Sequence, residues 1–265
     1  MTTAQQQYFS TEDGVKIAWR FDGEENKPVL VLSNSIATDY HMWDVQIPEF
    51  TRHFRVLRFD TRGNGASDAP AGDYSMSRFA GDVIELLDHL HLEKVDFLGL
   101  SMGGFIGQYL AIHYPERINK LILANTSSYL GPSTGFNNNI NALREGAPIE
   151  GFAKTFIGNW FPKDMMATQP EVVDEFYQMA SSITPQGLAG SFAAVRDGDL
   201  RKTAGLIQHP TLIIAGKDDT VTLPEHSEQM AATIAKSQLV ILPAVHLSNV
   251  ERKEEFNKLV IDFLS

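Results

Sequence analysis

The 265-residue chain contains no cysteine. That excludes a disulfide framework, a thiol nucleophile and a thiolate-held zinc site, and it fits a reducing compartment. Basic residues are the minority, 22 Lys and Arg against 33 Asp and Glu, for a formal charge of −11. Such a surface repels a phosphate backbone on average, so nucleic acid is not an expected partner. No stretch offers about 18 uninterrupted apolar residues, and the opening "MTTAQQQYF" lacks a basic region followed by an apolar run. The expectation is therefore a cytoplasmic protein without a membrane partner. Internal repeats and low-complexity tracts are also missing. What remains is an ordinary globular composition, 43% hydrophobic and 21% charged, in a chain long enough for one large domain with an insertion.

Short apolar runs alternate with helix-like ones. "KPVLVLSNS" (27–35), "FRVLRFD" (54–60), "KVDFLGL" (94–100), "INKLILANT" (118–126), "HPTLIIAGKDD" (209–219) and "SQLVILPAVH" (237–246) read as buried strands. Between them lie amphipathic segments such as "MSRFAGDVIELLDHL", in which Phe79, Val83, Leu86, Leu87 and Leu90 recur at helical spacing. Alternation of this kind predicts an α/β fold, a mostly parallel central sheet flanked by helices. "YFSTEDGVKIAWRFDG" reads as an antiparallel hairpin on one edge. From about residue 130 to 206 the strand pattern stops, leaving helix-like pieces broken by "GPSTGFNNN", "EGAP", "WFPKD" and "TPQG". The expectation is a helical cap inserted at 130–206 into a core formed by 1–129 and 207–265. Trp160, Phe161, Phe152, Phe156 and the methionines Met165, Met166 and Met179 are candidates to line an apolar pocket beneath it.

Chemistry concentrates at "GLSMGG", where Ser101 stands between Gly99 and Gly103. The motif follows a predicted buried strand and precedes a helix predicted over 105–114. A serine at such a turn presents its hydroxyl above the sheet, in front of a helix N-terminus with positive potential. The competing reading is a Gly-rich turn in which Ser101 merely caps the helix. A serine nucleophile needs a base and an orienting carboxylate. Asp218 and Asp219 follow one later strand and His246 follows the next, all expected on the same rim as Ser101. Of the other histidines only His41 is a candidate to touch the pocket. For a developing oxyanion, the expected donors are the backbone N–H groups of Met102, next to the serine, and Ile36, in the loop after "VLVLSNS".

With "GLSMGG", "FDTRGNGASD", "GKDDTVTLP" and "AVHLSNVE" in chain order, the sequence resembles the α/β-hydrolases from end to end. Within them, "VLSNSIATDYHMWD", "LILANT", "NWFPKD", "VRDGDLR" and "HLSNVE" resemble segments of 3-oxoadipate enol-lactonases. The resemblance implies the following. The spacing in "GKDDTVTLP" selects Asp219 over Asp218 as the carboxylate. The reaction would be opening of 3-oxoadipate enol-lactone to 3-oxoadipate, in the β-ketoadipate pathway of aromatic catabolism, through an acyl-enzyme and without metal or organic cofactor. The substrate would carry a free carboxylate, for which Arg144, Lys154 and Arg196 are the candidate cations; Asn34, Ser35 and Trp160 complete the candidate binding residues. Two departures stand out: Asn34-Ser35 replaces a usual His-Gly, and Asn64 replaces the histidine of a usual Arg-Gly-His-Gly turn. A carboxylesterase, another lactonase or a ligand-sensing module on the same fold is the alternative, because fold does not fix substrate.

Overall fold

The computed structural model describes residues 5–265. Residues 1–4, where the expected core segment 1–129 and the N-terminal reading begin, lie outside the described residues. In chain order the elements are β1 (Gln7–Ser10), β2 (Lys16–Asp22), β3 (Val29–Ser33), α1 (Ile47–Phe50), β4 (Arg55–Phe59), α2 (Met76–His89), β5 (Val95–Leu100), α3 (Met102–His113) and β6 (Ile118–Ala124). Five helices follow without an intervening strand: α4 (Ser133–Arg144), α5 (Ile149–Trp160), α6 (Lys163–Thr168), α7 (Pro170–Ser182) and α8 (Pro185–Asp197). The chain closes with β7 (Thr211–Gly216), α9 (Pro224–Thr233), β8 (Ser237–Leu242), α10 (Ser248–Glu251) and α11 (Lys253–Leu264).

The strands form one sheet in the order β1-β2-β4-β3-β5-β6-β7-β8. β1 pairs antiparallel with β2, and β2 with β4, while every pair from β4 to β8 is parallel. Each expected strand is found, trimmed at its ends by loop residues. β8 departs from expectation in being a half-exposed edge strand, with Ile241 42% exposed, because it ends the sheet and no further strand among the described residues pairs with it.

Side-chain alternation divides the core into two layers. Leu30, Leu32, Leu98, Leu100, Ile122 and Ile214 face the layer that holds Phe50 and Phe256, whereas Val31, Phe97, Leu121, Leu123 and Ile213 face α2 and α3. Both faces are buried, which is why these strands read as continuous apolar runs. α2 starts where Ser75 accepts a hydrogen bond from Arg78 N–H at 3.1 Å. No helix among the described residues is long and apolar enough to cross a membrane.

The chain leaves β3 for β4 on one side and later returns to β5 on the other. β3 and β5 are therefore adjacent strands whose following loops diverge, the position at which an open α/β sheet offers a crevice beyond its strand ends. The loop after β3 and Ser101 after β5 both border it.

Candidate active site

Ser101 has φ 56° and ψ −116°, a conformation outside both the helical and the extended regions. Three hydrogen bonds hold it there: its N–H donates to Ala124 O at 2.9 Å, and its carbonyl accepts from Thr126 Oγ1 at 2.7 Å and Phe105 N at 3.1 Å. The hydroxyl makes no capping bond to α3, which removes the reading of Ser101 as a simple cap. The helix begins at Met102, three residues earlier than its apolar spacing predicts. Gly103 and Gly104 are poor helix formers, but the packing requires them. A Cβ on Gly103 would lie 2.2 Å from Ser33 O, and one on Gly104 2.7 Å from Thr126 Cγ2.

His246 follows β8 and is 1% exposed, and its Nδ1 lies 2.9 Å from Asp219 Oδ2. It is Asp219, not the exposed Asp218, that the imidazole meets. The two oxygens of Asp219 have separate tasks. Oδ1 accepts from Val221 N at 2.8 Å and Thr222 N at 3.0 Å, which folds the loop after β7 around the carboxylate. Oδ2 accepts from Thr222 Oγ1 at 2.7 Å and Asn125 Nδ2 at 3.0 Å, besides facing His246. Burial pushes the Asp219 pKa up, but the His246 charge and these hydrogen bonds outweigh it and bring the carboxyl down to about 2. Asp219 is thus ionised at neutral pH, so the His246 nitrogen that faces it, Nδ1, is the one that carries a proton. Ser101 and His246 line the same cavity. No hydrogen bond joins them among the described residues.

Asn125 and Thr222 escaped the sequence reading. Thr222 had a local signal, its place three residues after the aspartate in "DDTVT". Asn125 lies 94 residues from Asp219 and had none.

The loop after β3 has most of its backbone donors occupied: Ser35 N contacts Met42 Sδ at 3.3 Å, Ala37 N donates to Asn64 Oδ1 at 3.1 Å, and Thr38 N to Ser35 O at 3.4 Å. Gly103 N donates to Asn34 O at 3.0 Å. The N–H groups of Ile36 and Met102 have no such partner among the described residues, and both residues line the cavity beside Ser101.

That cavity has a volume of about 150 Å³. Its floor is the sheet rim; α4, α5 and α8 supply Phe136, Phe156, Trp160 and Phe192 above it. Phe156 stacks on Trp160 with ring centres 5.1 Å apart. Trp160 and Phe156 are therefore at the cavity, whereas Phe152, Phe161, Met165, Met166 and Met179 are outside its lining, Phe161 packing instead on Phe176 at 5.1 Å, and several other expected contacts are absent from it too. Asn34 is fully buried below it, its Nδ2 donating to Phe59 O at 2.9 Å and its Oδ1 accepting from Trp43 Nε1 at 2.9 Å. Ser35 is fully buried and also does not line it. Arg144 is ion-paired with Asp73, and Arg196 with Asp73 at 3.1 Å and Asp197 at 2.7 Å. Neither guanidinium reaches the cavity, nor does the exposed Lys154, and His41 sits outside against Asp44 at 2.8 Å. Among the described residues there is no group of three or more His, Asp or Glu side chains placed to hold a metal.

A family described as the alpha/beta hydrolase fold matches residues 28–253. The chain belongs to that family. It is 36% identical over 250 residues to 3-oxoadipate enol-lactonase 2 of Acinetobacter baylyi, covering 94% of this chain and 93% of the relative. Among solved structures, a hydrolase from Pseudomonas aeruginosa PA01 superposes with a TM-score of 0.97 at 50% identity, each chain covered in full. The enol-lactonase from Burkholderia xenovorans LB400 gives 0.94 at 36% identity, with 97% of this chain and 99% of that one covered. The α/β-hydrolase expectation thus holds for the whole fold, and the likeness to enol-lactonases holds over nearly the full length.

Proposed function

We propose that this α/β-hydrolase is a serine hydrolase that opens a lactone ring or cleaves a related ester through an acyl-enzyme, with residues 130–206 acting as its cap. The observation that carries the reading is the buried Asp219–His246 pair beside a cavity shared with the strained Ser101. His246 takes the Ser101 proton on Nε2 as Oγ adds to the carbonyl carbon. The N–H groups of Ile36 and Met102 receive the negative charge that forms on the carbonyl oxygen. Collapse breaks the ring C–O bond, and the leaving oxygen takes the proton from His246. In an enol-lactone that oxygen becomes a ketone, which favours opening. Water then repeats the sequence on the acyl-enzyme and releases the acid.

Likeness to enol-lactonases makes 3-oxoadipate enol-lactone the first substrate to test. A second reading, a lactonase or carboxylesterase for uncharged substrates, is favoured by one observation: among the described residues no Lys or Arg lines the cavity. Ser101→Ala is expected to lower kcat by at least about 10³-fold on any substrate turned over. A fluorophosphonate probe should label the native chain once, at Ser101. Retained kcat in the variant, or labelling elsewhere, would remove the serine mechanism. Repeated steady-state turnover separates an enzyme from a ligand-sensing module on the same scaffold.

A further inference from the structure

The side chains that close the cavity are predominantly apolar: Leu130, Phe136, Phe156, Phe192 and Val195, with the Trp160 indole. Its polar side chains are the hydroxyls of Ser101, Thr126, Ser127 and Thr222, the Asn159 amide, the Trp160 indole and the His246 ring, and among the described residues no Lys, Arg, Asp or Glu lines it. Two cations of the overlying helices are held away from the cavity, Arg144 and Arg196 both on Asp73, and the exposed Lys154 of α5 is outside its lining. A substrate carboxylate drawn inside would lose its water without gaining a counter-charge, which is strongly unfavourable. The −11 formal charge of the chain adds a long-range repulsion of anions. At about 150 Å³ the space matches that of an apolar protein cavity known to take up benzene.

We infer that the preferred substrate is an uncharged lactone or ester whose enclosed part is a hydrocarbon group of about six carbons, rather than a carboxylate-bearing lactone. This rests on Ser101 being the nucleophile. It departs from the substrate that likeness to enol-lactonases suggests, and the departure has a physical cause in the ion pairs that hold Arg144 and Arg196 elsewhere. A hydrocarbon group gains from leaving water for this lining, while the hydroxyl hydrogens of Thr126, Ser127 and Thr222 are already donated to protein oxygens and the Asn159 amide retains capacity for one or two polar atoms next to the scissile group.

The test compares matched pairs differing only in charge: 4-nitrophenyl pentanoate against the mono-4-nitrophenyl ester of glutaric acid, and 3-oxoadipate enol-lactone against its methyl ester. With the native chain at pH 7.5, kcat/KM is expected to be at least ten-fold higher for the uncharged member of each pair. The ratio should narrow as pH falls toward the carboxylate range near about 4. A ratio below ten, or preference for the anion, overturns the inference while leaving the nucleophile in place. Hydrolysis of both members by Ser101→Ala at native rates instead overturns the serine assignment. In Asn159→Arg, a guanidinium in the cavity wall is expected to shift the ratio at least ten-fold toward the anionic ester. An unchanged ratio in a variant that still cleaves the neutral ester also counts against the inference.

Discussion

At Ser101 the backbone conformation and the hydroxyl belong to one another. A non-glycine residue held at φ 56°, ψ −116° stores about 1–3 kcal/mol, and the bonds to Ala124, Thr126 and Phe105 over-determine the position so that the strain persists. Glycine would relieve the strain but add about 0.5–1 kcal/mol of unfolded-chain entropy. Ser101→Gly is therefore expected to raise stability by roughly 1 kcal/mol in urea denaturation while abolishing hydrolysis. Ser101→Ala keeps a Cβ in the same strained position and should denature near the native midpoint. Equal midpoints for the two variants would show that the conformation is not strained. The glycines around it answer to space and not to φ: Gly99 and Gly103 leave room for β5, α3 and the end of β3 to touch through backbone atoms alone.

Elements come together around the loop after β3, and Asn64 is the residue that joins them. Its Oδ1 accepts from Ala37 N, and its Nδ2 donates to Thr61 Oγ1 at 2.9 Å and Arg62 O at 3.2 Å and reaches Ser191 Oγ on α8 at 3.4 Å. Ala37 itself has φ 58°. One side chain thus ties the Ile36 loop to the loop after β4 and to the helices above. Without it the Ala37 donor is buried and unpaired, and the Ile36 N–H loses its fixed direction. Asn64→Ala is expected to lower kcat about ten- to a hundred-fold with KM changed less than about three-fold, since the bond serves charge that develops only in the transition state. A matched rise in KM would make Asn64 a packing residue only. At this scale the sequence was largely readable. β5, the serine turn and the hairpin edge each have a local signature in periodicity or turn residues. The cations of α4 and α8 did not: Arg144 and Arg196 meet Asp73 from 71 and 123 residues away, and nothing in local spacing records where a long side chain finds its partner.

The whole molecule combines carboxyl groups shifted in opposite directions, and its stability should depend on pH accordingly. Burial pushes Asp60 up to about 7, against the hydrogen bonds it accepts from Tyr40 N at 2.7 Å and Ala66 N at 2.8 Å. Between the ordinary 3.8 and about 7 the unfolded chain has released a proton that the folded chain still holds. Raising the pH through that window favours unfolding, so the Asp60 contribution falls from pH 4 to pH 7. Asp219, brought down to about 2, has the opposite sign: its stabilisation is complete above the ordinary 3.8 and is lost as pH falls through about 2. The Arg62 guanidinium, which also pairs with the buried Asp82 at 2.6 Å, lowers Asp13 and adds to the acid-side loss. These groups together place a stability maximum near pH 4–5, on the acidic side of neutrality. Urea midpoints of the native chain and Asp60→Asn, measured from pH 4 to 8, isolate the decisive part. Asparagine satisfies only one of the two N–H donors and lowers stability by an offset, but it carries no proton to release. The native chain should therefore lose stability relative to the variant as pH rises to about 7, then run parallel to it. A difference that stays flat across the window would mean that Asp60 is ionised throughout, held by its two donors, and that burial is the weaker effect.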